Sequence, residues 1–185
     1  TDAQIWGTIH NRTNFDFLSE VRTSIPDVGL LNDGGFPFSE EADFPNTVIV
    51  MPQNPNTAEE NTLLQLMLRL GKEAPFSEKK LPVVVRPDQL NGEMKQEHVI
   101  VIGRSAVNAL KGEFQDKYRL VIENKTANLE DSEGALATVT HNTEVGILEG
   151  VLSPWNDKRM LLLAYGESPT AQQNVANLFK KDEAF

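Results

Sequence analysis

"NTVIVMPQNPNTAEENTLLQLMLRL", residues 46 to 70, decides the fold. Thr47 to Met51 is a β-branched run closed by Pro52, the pattern of a short strand buried on both faces. The "PQNPN" turn follows, and Thr57 with Glu60 makes the Thr-x-x-Glu pattern of a helix capping box. Leu63, Met67 and Leu70, with Leu64 and Leu68 beside them, then recur at helical spacing to about Ala74. A buried strand, a turn and a packed helix are the first unit of an α/β sheet.

The rhythm recurs along the chain. "VVV" at 83–85 ends before Pro87, and "HVIVI" at 98–102 reads as a second buried strand. Ser105 caps a short helix through Leu110, and "YRLVIE" at 118–123 is a fourth strand candidate. Residues 124–134, "NKTANLEDSEG", read as a solvated loop, and "ALATVT" at 135–140 as a half-buried or edge strand. "GILEGVL" at 146–152 and "RMLLLAY" at 159–165 are two strands joined by a Ser-Pro-Trp-Asn corner, in which Pro154, Asn156 and Asp157 are turn formers. Ser168 caps a last helix with Pro169 at its first position. Strands alternating with helices predict an α/β, flavodoxin-like three-layer sandwich with a mostly parallel sheet over residues 41–185. One further strand is expected beyond the last helix. Residues 1–40 break the rhythm: "QIWGTIHNRTNFDFL" and "GGFPF" read as a terminal strand of a preceding β-sandwich domain and a linker.

Composition narrows the chemistry. A net charge of −10 over 185 residues repels a phosphate backbone, which excludes nucleic acid and disfavours an anionic membrane surface. Residues 39–60 carry Glu40, Glu41, Asp43, Glu59 and Glu60 with no Lys or Arg, a polar surface suited to a partner. With no cysteine there are no disulfides, thiolate metal sites or Cys nucleophiles, and the compartment is left open. The longest apolar stretches fall far short of the roughly 20 residues of a bilayer span. A chain that starts at Thr1 without a leader reads as processed or excised from a longer one.

In this fold class a ligand sits at the carboxyl ends of the strands, with its phosphate in the turn after the first strand. Here that turn, 52–57, has two prolines and no glycine, and Glu59 and Glu60 follow in the first helical turn. It lacks the free amides and close approach that an anion needs. "GRSAV" at 103–107 offers a single glycine, which an ordinary strand-to-helix turn explains. His10, His98 and His141 are scattered without metal-ligand spacing, 128–133 lacks calcium-loop order, and no G-x-S-x-G elbow is present. No catalytic, cofactor-binding or metal residue is assigned. Trp155 could stack on a sugar ring, cover the end of the apolar layer or dock on a neighbouring domain; Trp6, Phe36 and Phe38 pose the same question, and covering or docking is the simpler reading.

Three stretches, "GGFPF" at 34–38, "NTVIVMPQNP" at 46–55 and "GVLSPWNDKRMLLLAYGESP" at 150–169, resemble in order and spacing the periplasmic, non-catalytic B subunit of bacterial cellulose synthase. In that family β-sandwich carbohydrate-binding domains alternate with flavodoxin-like ones, and a Gly-Phe-Pro-Phe linker enters the second flavodoxin-like domain. The resemblance implies a scaffold without enzyme activity or cofactor, membrane-anchored outside the cytoplasm in the full-length protein. It also implies a membrane-embedded catalytic subunit as partner, a β-glucan chain as a further one, and cyclic di-GMP acting through the catalytic partner. Trp155, Asn156, Arg159, Phe36 and Phe38 form the candidate interaction surface. The competing expectations are a flavin- or nucleotide-binding flavodoxin-like domain and a carbohydrate-binding module.

Overall fold

A computed structural model of the chain describes residues 26–32, 35–39, 44, 46–73, 81–114, 120–123, 126–131, 134–140 and 144–180, with backbone alone over 120–140. In chain order the elements are β1 (Thr47–Val50), α1 (Thr57–Glu73), β2 (Val83–Val85), β3 (His98–Ile102) and α2 (Arg104–Phe114). After them come β4 (Leu120–Glu123), β5 (Thr126–Asp131), β6 (Gly134–Thr140), β7 (Gly146–Leu152), β8 (Met160–Gly166) and α3 (Pro169–Leu178). Short 3-10 turns occupy Val28–Asn32, Pro87–Gln89 and Met94–Gln96.

Five strands form the main sheet in the order β2-β1-β3-β8-β7. β2, β1, β3 and β8 run parallel, and β7 pairs antiparallel with β8 through Leu152↔Met160 to Gly146↔Gly166. The flavodoxin-like, mostly parallel α/β sandwich is therefore present, with its fifth place filled by a hairpin partner. Both sides of β8 are taken, so a strand following α3 could join only outside β7 or β2.

Pairing register sorts the apolar residues between two layers. Val48, Val99 and Leu161 stand in one row facing α2, while the neighbouring row of Ile49, Ile100 and Leu162 faces α1 and α3. Because β1, β3 and β8 bury both rows, their sequences are unbroken apolar runs rather than alternating ones. Each fully buried Val, Leu or Ile contributes about 1.5–3 kcal/mol. β2 lies at the sheet edge, and Val83 and Val84 there are about half exposed.

Several expectations are corrected. The cap of α1 is Asn56, whose Oδ1 accepts the amides of Ala58 and Glu59 at 2.9 and 3.0 Å, while Glu59 Oε2 accepts the Asn56 amide at 2.8 Å. The capping box thus starts one residue before Thr57, because Asn56 stands just outside the helix and its Oδ1 reaches the amides of the first turn. Asn56→Ala is expected to cost about 1 kcal/mol, and Thr57→Ala to leave the urea midpoint nearly unchanged. On α1 the buried leucines are Leu66 and Leu70, while Leu64 and Leu68 point away from the sheet and are exposed. α2 begins at Arg104, so Ser105 lies inside it and runs on to Phe114. Residues 126–131, read as loop, are β5, and the strand at 120–123 joins β5 and β6 in a separate antiparallel sheet instead of extending the main one. Polar Thr, Asn, Glu and Asp in β5 resemble loop residues because short antiparallel strands need no continuous apolar face.

Ser168 caps α3 as expected, its Oγ accepting the Ala171 amide at 3.1 Å with Pro169 first in the helix. Of the segment read as linker, Leu31 and Phe38 are buried in the layer under α1 and α3, and Val28 packs against it. The strand expected within residues 1–18 lies outside the described residues.

Candidate functional site

The carboxyl ends of the parallel strands open into a polar crevice of about 340 Å³, lined among others by Asn54, Asn56, Glu59, Arg104, Glu167 and Gln172. This is where doubly wound sheets bind their ligands. Here the α1 end of the crevice is occupied by the chain itself. The amides of Asn56, Ala58, Glu59 and Glu60 are all engaged: three by the Asn56–Glu59 box, the last by the Asn56 carbonyl at 3.0 Å. The Glu59 carboxylate is buried where a phosphate would otherwise meet the helix. Across from it, Gly103 adopts φ +87°, and a Cβ there would overlap both the Glu59 carboxylate and the Pro52 ring. Glycine lets the β3–α2 turn close onto that carboxylate. Gln172, buried on α3, spends its amide inward: Oε1 accepts the Gly166 amide at 2.9 Å and Nε2 donates to Thr62 Oγ1 at 2.9 Å. Among the described lining residues Arg104 is the lone cation, set against Glu59 and Glu167.

The Ser-Pro-Trp-Asn corner lies at the opposite, amino end of the sheet, between β7 and β8. It is closed by Ser153 N–H donating to the Arg159 carbonyl at 2.9 Å and Arg159 N–H to the Asn156 carbonyl at 3.0 Å. Side chains then tie it to the segment before β3. Asn156 Nδ2 donates to the Gln96 carbonyl at 2.9 Å. Trp155 Nε1 donates to Glu113 Oε2 at 2.8 Å, the same oxygen accepts from Lys95 Nζ at 2.5 Å, and Lys95 sits 5.3 Å over the indole ring. The hydrogen bond from Lys95 holds the Glu113 carboxyl below its ordinary range, against partial burial and aided by the Trp155 N–H. Trp155 also packs on the layer under α2, so its N–H and ring are engaged within the domain and the tryptophan is a poor open platform for a sugar.

Arg159 reaches the same end. Its Nη2 lies 3.4 Å from Glu97 Oε2 and its Nη1 3.1 Å from His98 Nε2, while His98 Nδ1 accepts the Met160 amide at 3.0 Å. His98 is buried with N–H donors facing both ring nitrogens, so an imidazolium, which can only donate, has nothing to donate to. Burial first, and the Arg159 charge second, push its pKa down from 6.5 to about 4. Phe38 meets the His98 ring edge-on, centroids 5.7 Å apart.

The structure thus brings Trp155, Asn156 and Arg159 together at the amino end, half-buried, and sets Phe38 beneath them through His98. Phe38 itself is 1% exposed, so it supports that surface from the core, and Phe36 is half-buried in the same linker. Sequence reasoning passed over Lys95, Gln96 and Glu97, which brace the corner from about 60 residues away; their polar run carries no local signal. Among the described residues no cluster of three His, Cys, Asp or Glu gathers as a metal site, and no helix is long and apolar enough to cross a membrane.

These features define a flavodoxin-like α/β domain with a buried glutamate carboxylate hydrogen-bonded at the start of α1. The chain belongs to the family described as cellulose synthase BcsB, second FD domain, whose model matches residues 22–164. It is similar to proteins named Cyclic di-GMP-binding protein. The one from Salmonella typhi is 27% identical over 81% of this chain and 21% of its own length, and the one from Escherichia coli O157:H7 is 27% identical over 78% and 20%. One from Pseudomonas fluorescens is 34% identical over 35% of this chain and 9% of its own. The chain spans about a fifth of the length of the first of these relatives.

Proposed function

We propose that this domain is a non-catalytic scaffold and interaction module of a cellulose synthase B-type subunit, working outside the cytoplasm and assisting synthesis and export of a β-glucan. The observation that carries the reading is the Glu59 carboxylate, hydrogen-bonded at the start of α1 where a flavin or nucleotide phosphate would have to sit. Family membership supplies the context. The relatives' name refers to cyclic di-GMP, a ligand with two phosphates. A crevice with one cation against two carboxylates, in a chain of net charge −10, disfavours such a ligand, and cyclic di-GMP then acts through the catalytic partner. The amino-end surface of Trp155, Asn156 and Arg159, with Phe38 beneath it, contacts that membrane-embedded partner, and Phe36 of the linker belongs to the same contact.

Three measurements test the proposal. Calorimetric titration of the chain with flavin mononucleotide and with cyclic di-GMP is expected to show no binding; micromolar affinity for either would establish the nucleotide-binding reading instead. In the full-length subunit, Asn156→Ala combined with Arg159→Ala is expected to reduce co-purification with the catalytic subunit and glucan output together. Unchanged co-purification would remove this surface from the interface. Titration with cello-oligosaccharides, followed by tryptophan fluorescence, should leave the spectrum unaltered, and a saturable change lost in Trp155→Ala would favour a carbohydrate module.

A further inference from the structure

We infer that Asn91 is a site of spontaneous chemical modification, at which the Asn91–Gly92 peptide cyclises to a succinimide and water opens it to aspartate and isoaspartate. Asn91–Gly92 is the one Asn-Gly pair in the 185 residues; every other asparagine precedes a residue with a side chain, and Asn54 precedes a proline with no N–H. Both residues are exposed in the turn between the two short 3-10 segments, and a Cβ built on Gly92 would meet nothing within 4 Å. Glycine has the backbone freedom that ring closure demands, and no side chain of its own crowds the attacking nitrogen.

The turn also prepares both carbonyls. Asn91 Oδ1 accepts the Met94 amide at 3.0 Å, which polarises Cγ and is placed to stabilise the oxyanion formed on attack. The Asn91 main-chain carbonyl accepts the Lys95 amide at 3.1 Å, which polarises the second carbonyl of the imide. In the first step the Gly92 nitrogen attacks Asn91 Cγ. The N–Cγ bond forms, the Cγ–Nδ2 bond breaks, and the amide proton leaves with Nδ2 as ammonia. Water then opens the ring. Addition at Cγ yields aspartate, and addition at the main-chain carbonyl carbon yields isoaspartate, with the backbone one methylene longer. No oxidant or reductant is required.

The position gives the reaction a structural consequence. Asn91 frames the segment in which Lys95 lies over Trp155 and the Gln96 carbonyl holds Asn156. Aspartate keeps an acceptor for Met94 N–H; isoaspartate lengthens the chain there and displaces the brace of the corner.

The test is a time course of the chain at mildly alkaline and mildly acidic pH, followed by peptide-mapping mass spectrometry and enzymatic methylation of isoaspartate. Conversion is expected at Asn91 ahead of every other asparagine, faster at the higher pH because the attacking amide must lose its proton, and strongly slowed in Gly92→Ala, whose methyl group restricts the approach of the nitrogen. A synthetic peptide spanning residues 88–97 serves as the unfolded control. An intact Asn91 in the folded chain while the peptide converts would overturn the inference, as would a peptide that does not convert or another asparagine reacting first.

Discussion

Phe38→Ala is expected to remove about 3–5 kcal/mol of stability, the usual cost of deleting a fully buried aromatic ring. The ring is 1% exposed and shares its layer with Leu31, Phe44, Ile49, Leu66 and Leu70. Its loss would empty the space beneath the amino ends of β1 and β3 and strip the His98 ring of its edge-on neighbour. The Phe38 carbonyl, which accepts Thr47 Oγ1 at 2.8 Å, would keep its bond, so the loss is one of packing and not of backbone anchoring. Phe38→Leu should cost under about 1.5 kcal/mol. Urea unfolding is the measurement, with the midpoint falling at unchanged slope. A Phe38→Ala chain within 1 kcal/mol of the parent would mean that the Phe-Pro-Phe segment only passes over the domain.

The second large effect is an acid instability centred on His98. This is a base whose folded pKa is depressed, so the folded state holds it neutral while the unfolded chain takes up a proton below 6.5. Its contribution is fully present above pH 6.5 and is lost as pH falls from 6.5 through about 4, below which both states are protonated. At ~1.4 kcal/mol per pH unit, the loss is on the order of 3 kcal/mol. Carboxylates such as Glu113 lose stability in acid as well, so the His98 share is the difference between the parent and His98→Gln, measured as unfolding free energy at several pH values. The difference should narrow steadily between pH 6.5 and 4. Arg159→Gln should recover part of the loss, since burial is the larger cause and persists without the arginine. Parallel pH profiles for the parent and His98→Gln would show that the ring titrates as freely when folded as when unfolded.

Much of the fold was legible because it is written in local patterns. β1, β3 and β8 are unbroken apolar runs, the pattern of strands buried on both faces. Ser168 and Pro169 announce α3 because capping is a contact between near neighbours. The domain's affinity for a family was readable for the same reason, in the Gly-Phe-Pro-Phe, first-turn and corner stretches. Where two local patterns competed, the reading slipped: Asn56 with Glu59 and Thr57 with Glu60 both have capping-box spacing, and the chain uses the first.

The candidate site was legible in residue type and not in arrangement. Glu59 was readable as a charge in the first helical turn, and its placement over the Asn56 amide and against Gly103 appears only once β1, α1 and the Gly103 turn are brought together. Trp155 was an aromatic in a corner until Glu113 and Lys95, about 40 and 60 residues distant, engaged its N–H and its face. Composition and periodicity by themselves determined the class of fold and the buried strands, since these depend on side chains within a turn of one another. Pairing order, the antiparallel place of β7, the separate sheet of β4 to β6 and the bracing of the corner at His98 were decided by tertiary structure alone, because they are contacts between residues far apart in the chain, whose energy exists only after the sheet has closed.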